Sequence, residues 1–248
     1  MSVVLVMAKA PVAGLVKTRL CPPATVAQAA GIAAAALLDT LAVVAATGRA
    51  VPVLAYAGRF ADAVRADELD RALAGWHLLP QRGGTFAERL ANAWADTGAA
   101  FPGQPVLQLG MDTPQLRRST LRAALHRLAA GQAVLGPAAD GGWWALGLPE
   151  PTPAAALRTV PMSTHETARH TLAALGELGV RPALLPVLCD VDEWPTARAV
   201  ADEIPDSRFA RAVREVDASR TAPADDPAAT VVWTGDLVGA AGQRGGRR

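Results

Sequence analysis

Three cations and a glycine crowd one short stretch near the start of the chain, Lys9-Ala10-Pro11-Val12-Ala13-Gly14-Leu15-Val16-Lys17-Thr18-Arg19. Such a loop suits phosphate. Gly14 lets backbone N–H groups approach, the helix that follows adds its dipole, and Lys9, Lys17 and Arg19 neutralise charge that develops on oxygen. The spacing is neither a Walker A loop nor GxGxxG, since two residues separate Gly14 from Lys17. A solvated basic loop is the bland alternative.

Carboxylates form the second group. Gly110-Met111-Asp112-Thr113-Pro114 follows an apolar run, so Asp112 stands where the chain leaves a strand. There it can hold Mg²⁺ against nucleotide phosphates, or it can cap the next helix. Asp190-Val191-Asp192 places two carboxylates on one side of an extended chain, because residues i and i+2 share a face. A turn with a cap is the alternative; coincidence with Asp112 at one sheet edge favours a metal set of Asp112, Asp190 and Asp192.

Asp140-Gly141-Gly142-Trp143-Trp144 reads as a tight turn that sets a carboxylate and two Cβ-free residues beside two large rings. Gly141 and Gly142 permit close approach to a base or sugar, and Trp143 can stack on it, while Trp144 is expected in the core. Ser163-Thr164 stands at a helix start, where a cap comes first and a ligand contact second. Gln81-Arg82-Gly83-Gly84 is a turn at a strand end, and Gln81 and Gly83 join the nucleotide-binding set. The histidines lack metal-pair spacing, and no order of Ser, His and Asp or of Cys and His supports a hydrolase.

Short β-rich runs alternate with longer Ala/Leu stretches, which predicts a three-layer α/β/α fold around a mostly parallel sheet. Strands are expected at 2–7, 51–56, 76–79, 106–109, 133–136, 143–148 and 183–188. Helices are expected at 25–46, 59–73, 85–95, 119–129 and 165–178. Thr85 with Glu88 reads as a capping box. In an open sheet of this kind ligands bind beyond the carboxyl ends of the strands, and the polar clusters fall at such ends.

A length of 248 residues allows one large domain or two small ones. With 51% hydrophobic and 19% charged residues, the chain is neither disordered nor a disulfide-stapled miniprotein. Lys plus Arg number 24 against 23 Asp plus Glu, so no general field for nucleic acid or an anionic membrane exists. Cys21 and Cys189, far apart, suggest a reducing cytoplasm, and neither a signal peptide nor a membrane span is expected. One domain is expected over 1–217, followed by a flexible tail over 218–248 in which Val231-Val232-Trp233 is an isolated apolar patch.

Taken in order, Met7-Ala8-Lys9-Ala10-Pro11-Val12-Ala13-Gly14-Leu15-Val16-Lys17-Thr18-Arg19-Leu20, Gln81-Arg82-Gly83-Gly84 with Glu88-Arg89-Leu90, Gly110 to Pro114, Gly136 to Gly142, Ser163-Thr164 and Asp190 to Asp192 resemble the radical-SAM/selenodomain-associated transferase family, first type. The resemblance covers about residues 3–200. It implies a GT-A-like fold of the nucleotide-diphospho-sugar transferase superfamily, with distant similarity to 2-phospho-L-lactate and molybdenum cofactor guanylyltransferases. It also implies roles: Lys9, Lys17 and Arg19 at nucleotide phosphates, Asp112 with Asp190 or Asp192 at a divalent metal, and Asp140 to Gly142 beside acceptor or sugar. Met162 replaces an aromatic common in the family before Ser-Thr, and the sequence departs from the pattern from Glu193 onward.

The expected activity is that of an Mg²⁺- or Mn²⁺-dependent transferase with a nucleoside triphosphate or nucleotide sugar as donor and a small-molecule acceptor. Lys17 and Asp112 are its catalytic candidates. Nucleotidyl and glycosyl transfer both fit, and a non-catalytic nucleotide-binding protein on the same fold is the alternative.

Overall fold

The computed structural model describes residues 1–48 and 50–221. The first strand, β1 (Ser2–Lys9), is buried along its length up to its last residue, as a continuous Val/Leu run covered on both faces must be. It anchors a seven-stranded sheet with β2 (Ala50–Ala57), β3 (His77–Pro80), β4 (Val106–Leu109), β5 (Val134–Pro137), β6 (Trp143–Leu148) and β7 (Ala183–Leu184). The spatial order is β3-β2-β1-β4-β6-β5-β7. Only β6 runs antiparallel to its neighbours β4 and β5; the other pairings are parallel.

Alternation along β1 divides the core. Val4, Val6 and Ala8 face α1 (Val26–Ala45), α2 (Ala66–Ala72) and α4 (Arg118–Ala129). Val3, Leu5 and Met7 face α3 (Phe86–Ala100), α5 (Thr167–Glu177) and a 3-10 segment, Thr152–Thr159. The expected α/β/α sandwich is present. Beyond it lies a further layer: the outer side of α1, with Ala29, Ile32 and Ala36, packs on α6 (Trp194–Glu203) and α7 (Arg208–Thr221) through Val200, Phe209 and Val213.

That double cover explains the composition of α1. By length and composition α1 could cross a membrane, but Ala33, Leu37 and Leu41 lie against the sheet and Ala29, Ile32 and Ala36 under α7. A helix apolar all round is what burial between two layers requires. Asp39 on α1 then accepts from the main-chain N–H of Phe209 at 2.9 Å and so caps α7.

Three expected elements differ. The strand at 183–188 pairs only over Ala183–Leu184, with a separate bridge from Ala138 to Leu188, since Pro186 has no N–H to donate. The helix at 59–73 breaks into a 3-10 turn, Phe60–Asp62, and α2, with Arg65 between them at φ 62°. Helices α6 and the first part of α7 fall where no helix was expected, and α7 runs to Thr221, past the expected end of the domain at 217. Val231-Val232-Trp233 and the rest of the expected tail lie outside the described residues.

Both long helices start on capping boxes. In α3 the expected pair Thr85 and Glu88 closes reciprocally, and in α1 Thr25 and Gln28 do the same, with Gln28 N–H to Thr25 Oγ1 at 3.2 Å. Thr25→Ala should therefore lower the unfolding free energy by about 1 kcal/mol, measured in urea. A change under about 0.3 kcal/mol would show that the layers around α1 hold it without the cap.

Candidate active site

The carboxyl ends of the strands open onto a cleft of about 850 Å³. Its deepest charge is Lys17. The loop after β1 turns through Gly14 (φ 77°), and Lys17 itself takes a left-handed conformation (φ 48°) ahead of a 3-10 turn, Thr18–Leu20. This aims the ammonium inward, where it lies 2.6 Å from Asp112 Oδ1 and 2.8 Å from Asp192 Oδ1. The Lys17 side chain is only 10% exposed. Arg19, mostly exposed, reaches Asp192 Oδ2 at 3.7 Å.

Main-chain ties hold the two carboxylate segments together. Val191 N–H donates to the Asp112 carbonyl at 3.0 Å, and Gln115 Nε2 donates to the Cys189 carbonyl at 2.7 Å. Ala139 N–H donates to Leu188 O at 2.9 Å, which runs the same segment beside the Asp140 turn. Asp112, Asp140, Asp190 and Asp192 thus face one cleft.

Burial would lower the Lys17 pKa, but Asp112 and Asp192 outweigh it and hold the ammonium above its ordinary value. Burial likewise pushes Asp192 up, yet Lys17 and then Arg19 bring it below the usual range. Among the described residues, no cation is in contact with Asp190. Burial, then Asp112 and Asp140, push its carboxyl up to about 7 against the pull of Lys17.

The cleft collects Lys9, Lys17, Arg19, Gln81, Asp112, Asp140, Gly142, Trp143, Ser163, Thr164, Asp190 and Asp192 from the expected set. Three glycines stand outside its lining. Gly14 shapes the loop in open space. Gly83 (φ 128°) lies against Glu88, whose Cβ would be 2.8 Å from a Cβ at 83. At Gly141 (φ 88°) an added Cβ would stand 1.9 Å from the His165 carbonyl oxygen, so this glycine seats the 163–165 wall and touches no ligand space. Ser163 is not a helix cap; it turns the wall at φ 59°, and Thr167 Oγ1 donates to the Pro161 carbonyl at 3.0 Å just behind it.

Two expected phosphate contacts are already engaged. Gln81 Nε2 donates to the carbonyls of Ala8 (3.1 Å) and Ala55 (2.8 Å), which spends both amide hydrogens on the main chain and leaves an acceptor oxygen. Lys9 Nζ donates to the Leu15 carbonyl at 2.8 Å, bracing the loop from within and keeping two hydrogens in hand. Trp143 lines the cleft and donates to Thr171 Oγ1 at 3.1 Å. Trp144 is buried as expected, against Gly136, although its edge also reaches the cleft.

The three carboxylates expected to bind metal are not gathered into one ligand cluster. Among the described residues no group of three His, Cys, Asp or Glu side chains could hold a metal ion, and the Lys17 ammonium fills the space between Asp112 and Asp192. Mg²⁺ needs only one or two protein carboxylates and completes its shell with water and phosphate. Asp112 and Asp190 fit that requirement: oxygen donors, tied through the 191–112 hydrogen bond and facing one cleft.

A family model described as an uncharacterized protein conserved in bacteria, DUF2064, matches residues 40–164, just over half of the chain. The chain belongs to that family. The matched span carries Gln81, Asp112, Asp140 and Thr164, whereas Lys17 and Asp190 of this DUF2064 chain lie outside it. No curated protein matches the chain.

Among solved structures, this DUF2064 chain is similar to a Desulfovibrio desulfuricans G20 protein described provisionally as a nucleotide-diphospho-sugar transferase. The TM-score is 0.75 at 23% identity, over 88% of this chain and 96% of that one. Rv0371c from Mycobacterium tuberculosis H37Rv aligns at a TM-score of 0.52 and 21% identity, over 81% and 97%. A structure of Rv0371c complexed with manganese aligns at 0.47 and 19%, over 81% and 98%. The fold is that of the nucleotide-diphospho-sugar transferases, GT-A-like.

The expected set missed Gln108, Phe86 and Arg89, all of which line the cleft. Phe86 and Arg89 are legible only once α3 is known to start at the rim. Gln108 carries a plainer signal, a lone amide in the otherwise apolar run Val106-Leu107-Gln108-Leu109.

Proposed function

We propose that this DUF2064 chain is a transferase dependent on Mg²⁺ or Mn²⁺, with a nucleoside triphosphate or nucleotide sugar as donor and a small molecule as acceptor. The observation that carries this reading is the Lys17 ammonium, nearly buried at the strand ends and bracketed by Asp112 and Asp192 in a cleft of nucleotide size. In this reading the chain is of the radical-SAM/selenodomain-associated type, and the guanylyltransferases are its distant relatives. It works in the cytoplasm, in keeping with its two free cysteines, and its single domain reaches the end of α7 at Thr221. A net charge of +1 supports a small-molecule ligand over nucleic acid or a membrane surface.

Lys17 stays charged at neutral pH and places a fixed positive charge beside the donor phosphates. Arg19, at the rim, meets the outer phosphate oxygens, and Lys9 keeps the loop in shape while offering its remaining hydrogens. Asp112 and Asp190 would hold the divalent ion, which would supply positive charge to the donor phosphates and the leaving group. Asp140, Trp143 and the 163–164 turn line the same cleft, and there they orient the acceptor or sugar. Three cations beside the phosphates favour nucleotidyl transfer, since pyrophosphate departure concentrates charge there.

One observation favours a non-catalytic nucleotide-binding role: Lys17 already occupies Asp112 and Asp192. Calorimetric titration separates the readings. With GTP, CTP, UTP, ATP and the common UDP- and GDP-sugars, one ligand should bind at least about tenfold more tightly with Mg²⁺ than without it. Binding indifferent to Mg²⁺ points to the non-catalytic role, and no binding at all overturns the transferase reading.

A further inference from the structure

We propose that Gln108 is a specificity-determining residue of the cleft, donating a hydrogen bond to an uncharged acceptor atom in the organic part of the nucleotide, a base carbonyl oxygen or ring nitrogen. The proposal rests on the transferase reading above and deepens it. Gln108 is 2% exposed and lies in β4, four residues before Asp112. Its strand neighbours in register are Leu5 and Leu146, both fully buried, so the amide is the polar group in an apolar floor.

The orientation of the amide is set by chemistry. Trp94 Nε1 lies 2.5 Å from Gln108 Oε1, and an indole N–H can only donate, so the atom facing Trp94 must be the oxygen. That fixes the NH₂ group away from Trp94, and among the described residues it has no hydrogen-bond partner. Gln108 lines the cleft, so these hydrogens open onto ligand space. Gln115 makes the contrast: its unpartnered Oε1 is sealed off from the cleft.

The half of the cleft that Gln108 serves follows from strand alternation. Gln108 shares its sheet face with Leu5 and Val106, over Leu90 and Trp94 of α3. Lys17 and Asp112 follow Val16 and Met111, which pack on the opposite face of the sheet with α1. Phosphates belong with the cations, and an apolar surround penalises a bare charge beside Gln108. An uncharged acceptor remains as the partner. A buried donor left unpaired by the wrong ligand makes that ligand costly, which is how such a group confers selectivity.

The test is calorimetry of wild type, Gln108→Leu and Gln108→Glu with the four common nucleoside triphosphates and with inorganic tripolyphosphate, all in Mg²⁺. Gln108→Leu should raise the Kd of the preferred nucleotide about tenfold or more, level the preference among bases, and leave tripolyphosphate unchanged. Gln108→Glu, which replaces donor by acceptor, should be worse for the preferred nucleotide. Should Gln108→Leu fail to fold with Trp94 bereft of its acceptor, the double variant Trp94→Phe/Gln108→Leu removes both partners and should give the same pattern. Unaltered nucleotide binding by the variants, or equal loss of nucleotide and tripolyphosphate, overturns the role of Gln108 alone. Wild type that binds neither probe overturns the transferase reading and Gln108 with it.

Discussion

Lys17→Met should cut turnover, with the nucleotide and acceptor that titration selects, by about 10²–10³-fold, the usual cost of one preorganised charge at a reacting centre. The ammonium is the cation in contact with both Asp112 and Asp192, and Asp140 and Asp190 face the same space. Without Lys17, four carboxylates repel an incoming polyphosphate instead of presenting a paired field. Lys17→Arg should recover only part of the rate, because a planar guanidinium cannot reproduce two contacts of 2.6 and 2.8 Å made by one ammonium. Stability should change little. Asp112 and Asp192 are 39% and 48% exposed and can rehydrate, so the penalty stays near about 1 kcal/mol, far below that of a fully buried pair. A folded Lys17→Met protein that keeps more than a tenth of wild-type turnover would remove Lys17 from the catalytic set.

Gly141→Ala should lower the melting temperature by about 6–12 °C, for a cost of roughly 3 kcal/mol in a domain of this size. Two causes add. The residue sits at φ 88°, where any Cβ is strained, and the new methyl would meet the His165 carbonyl carbon at 2.4 Å and its oxygen at 1.9 Å. The obstacle is main chain, so no rotamer relieves it. The 163–165 wall must move outward, and the Ala168 N–H to Gly141 carbonyl bond, 2.9 Å, goes with it. Gly14→Ala is the control, since its φ of 77° is strained but open space surrounds it; its cost should stay near about 1 kcal/mol. Equal melting points for the two variants would mean that the wall yields freely and does not depend on Gly141.

The parts of the fold written into local pattern were legible in the sequence. The unbroken apolar run of β1, the strand 106–109 with its exit at Gly110, and the box of Thr85 with Glu88 each follow from neighbours in the chain. Polar clusters at strand ends likewise converge, because a parallel sheet puts all those ends on one edge. What stayed hidden depends on contacts distant in sequence. Nothing near Gly141 announces that His165 will press against it, and nothing in Gln81 says that Ala8 and Ala55 will take both amide hydrogens. Likewise nothing near Asp112 or Asp192 announces that Lys17, 175 residues from Asp192 in sequence, will sit between these two carboxylates. Gln108 could have been found from its apolar neighbours alone.

The helix α1, clamped between the sheet and α6 with α7, also dictates an order of events during synthesis. Phe209, Val213 and Val216, which cover the outer side of that helix, leave the ribosome about 170 residues after it. Over that interval the nascent chain therefore carries an uncovered apolar surface of Ala29, Ile32 and Ala36, the kind that chaperones bind and proteases sample. A message cut short before residue 209 yields a product that keeps every residue lining the cleft and cannot hide its own first helix.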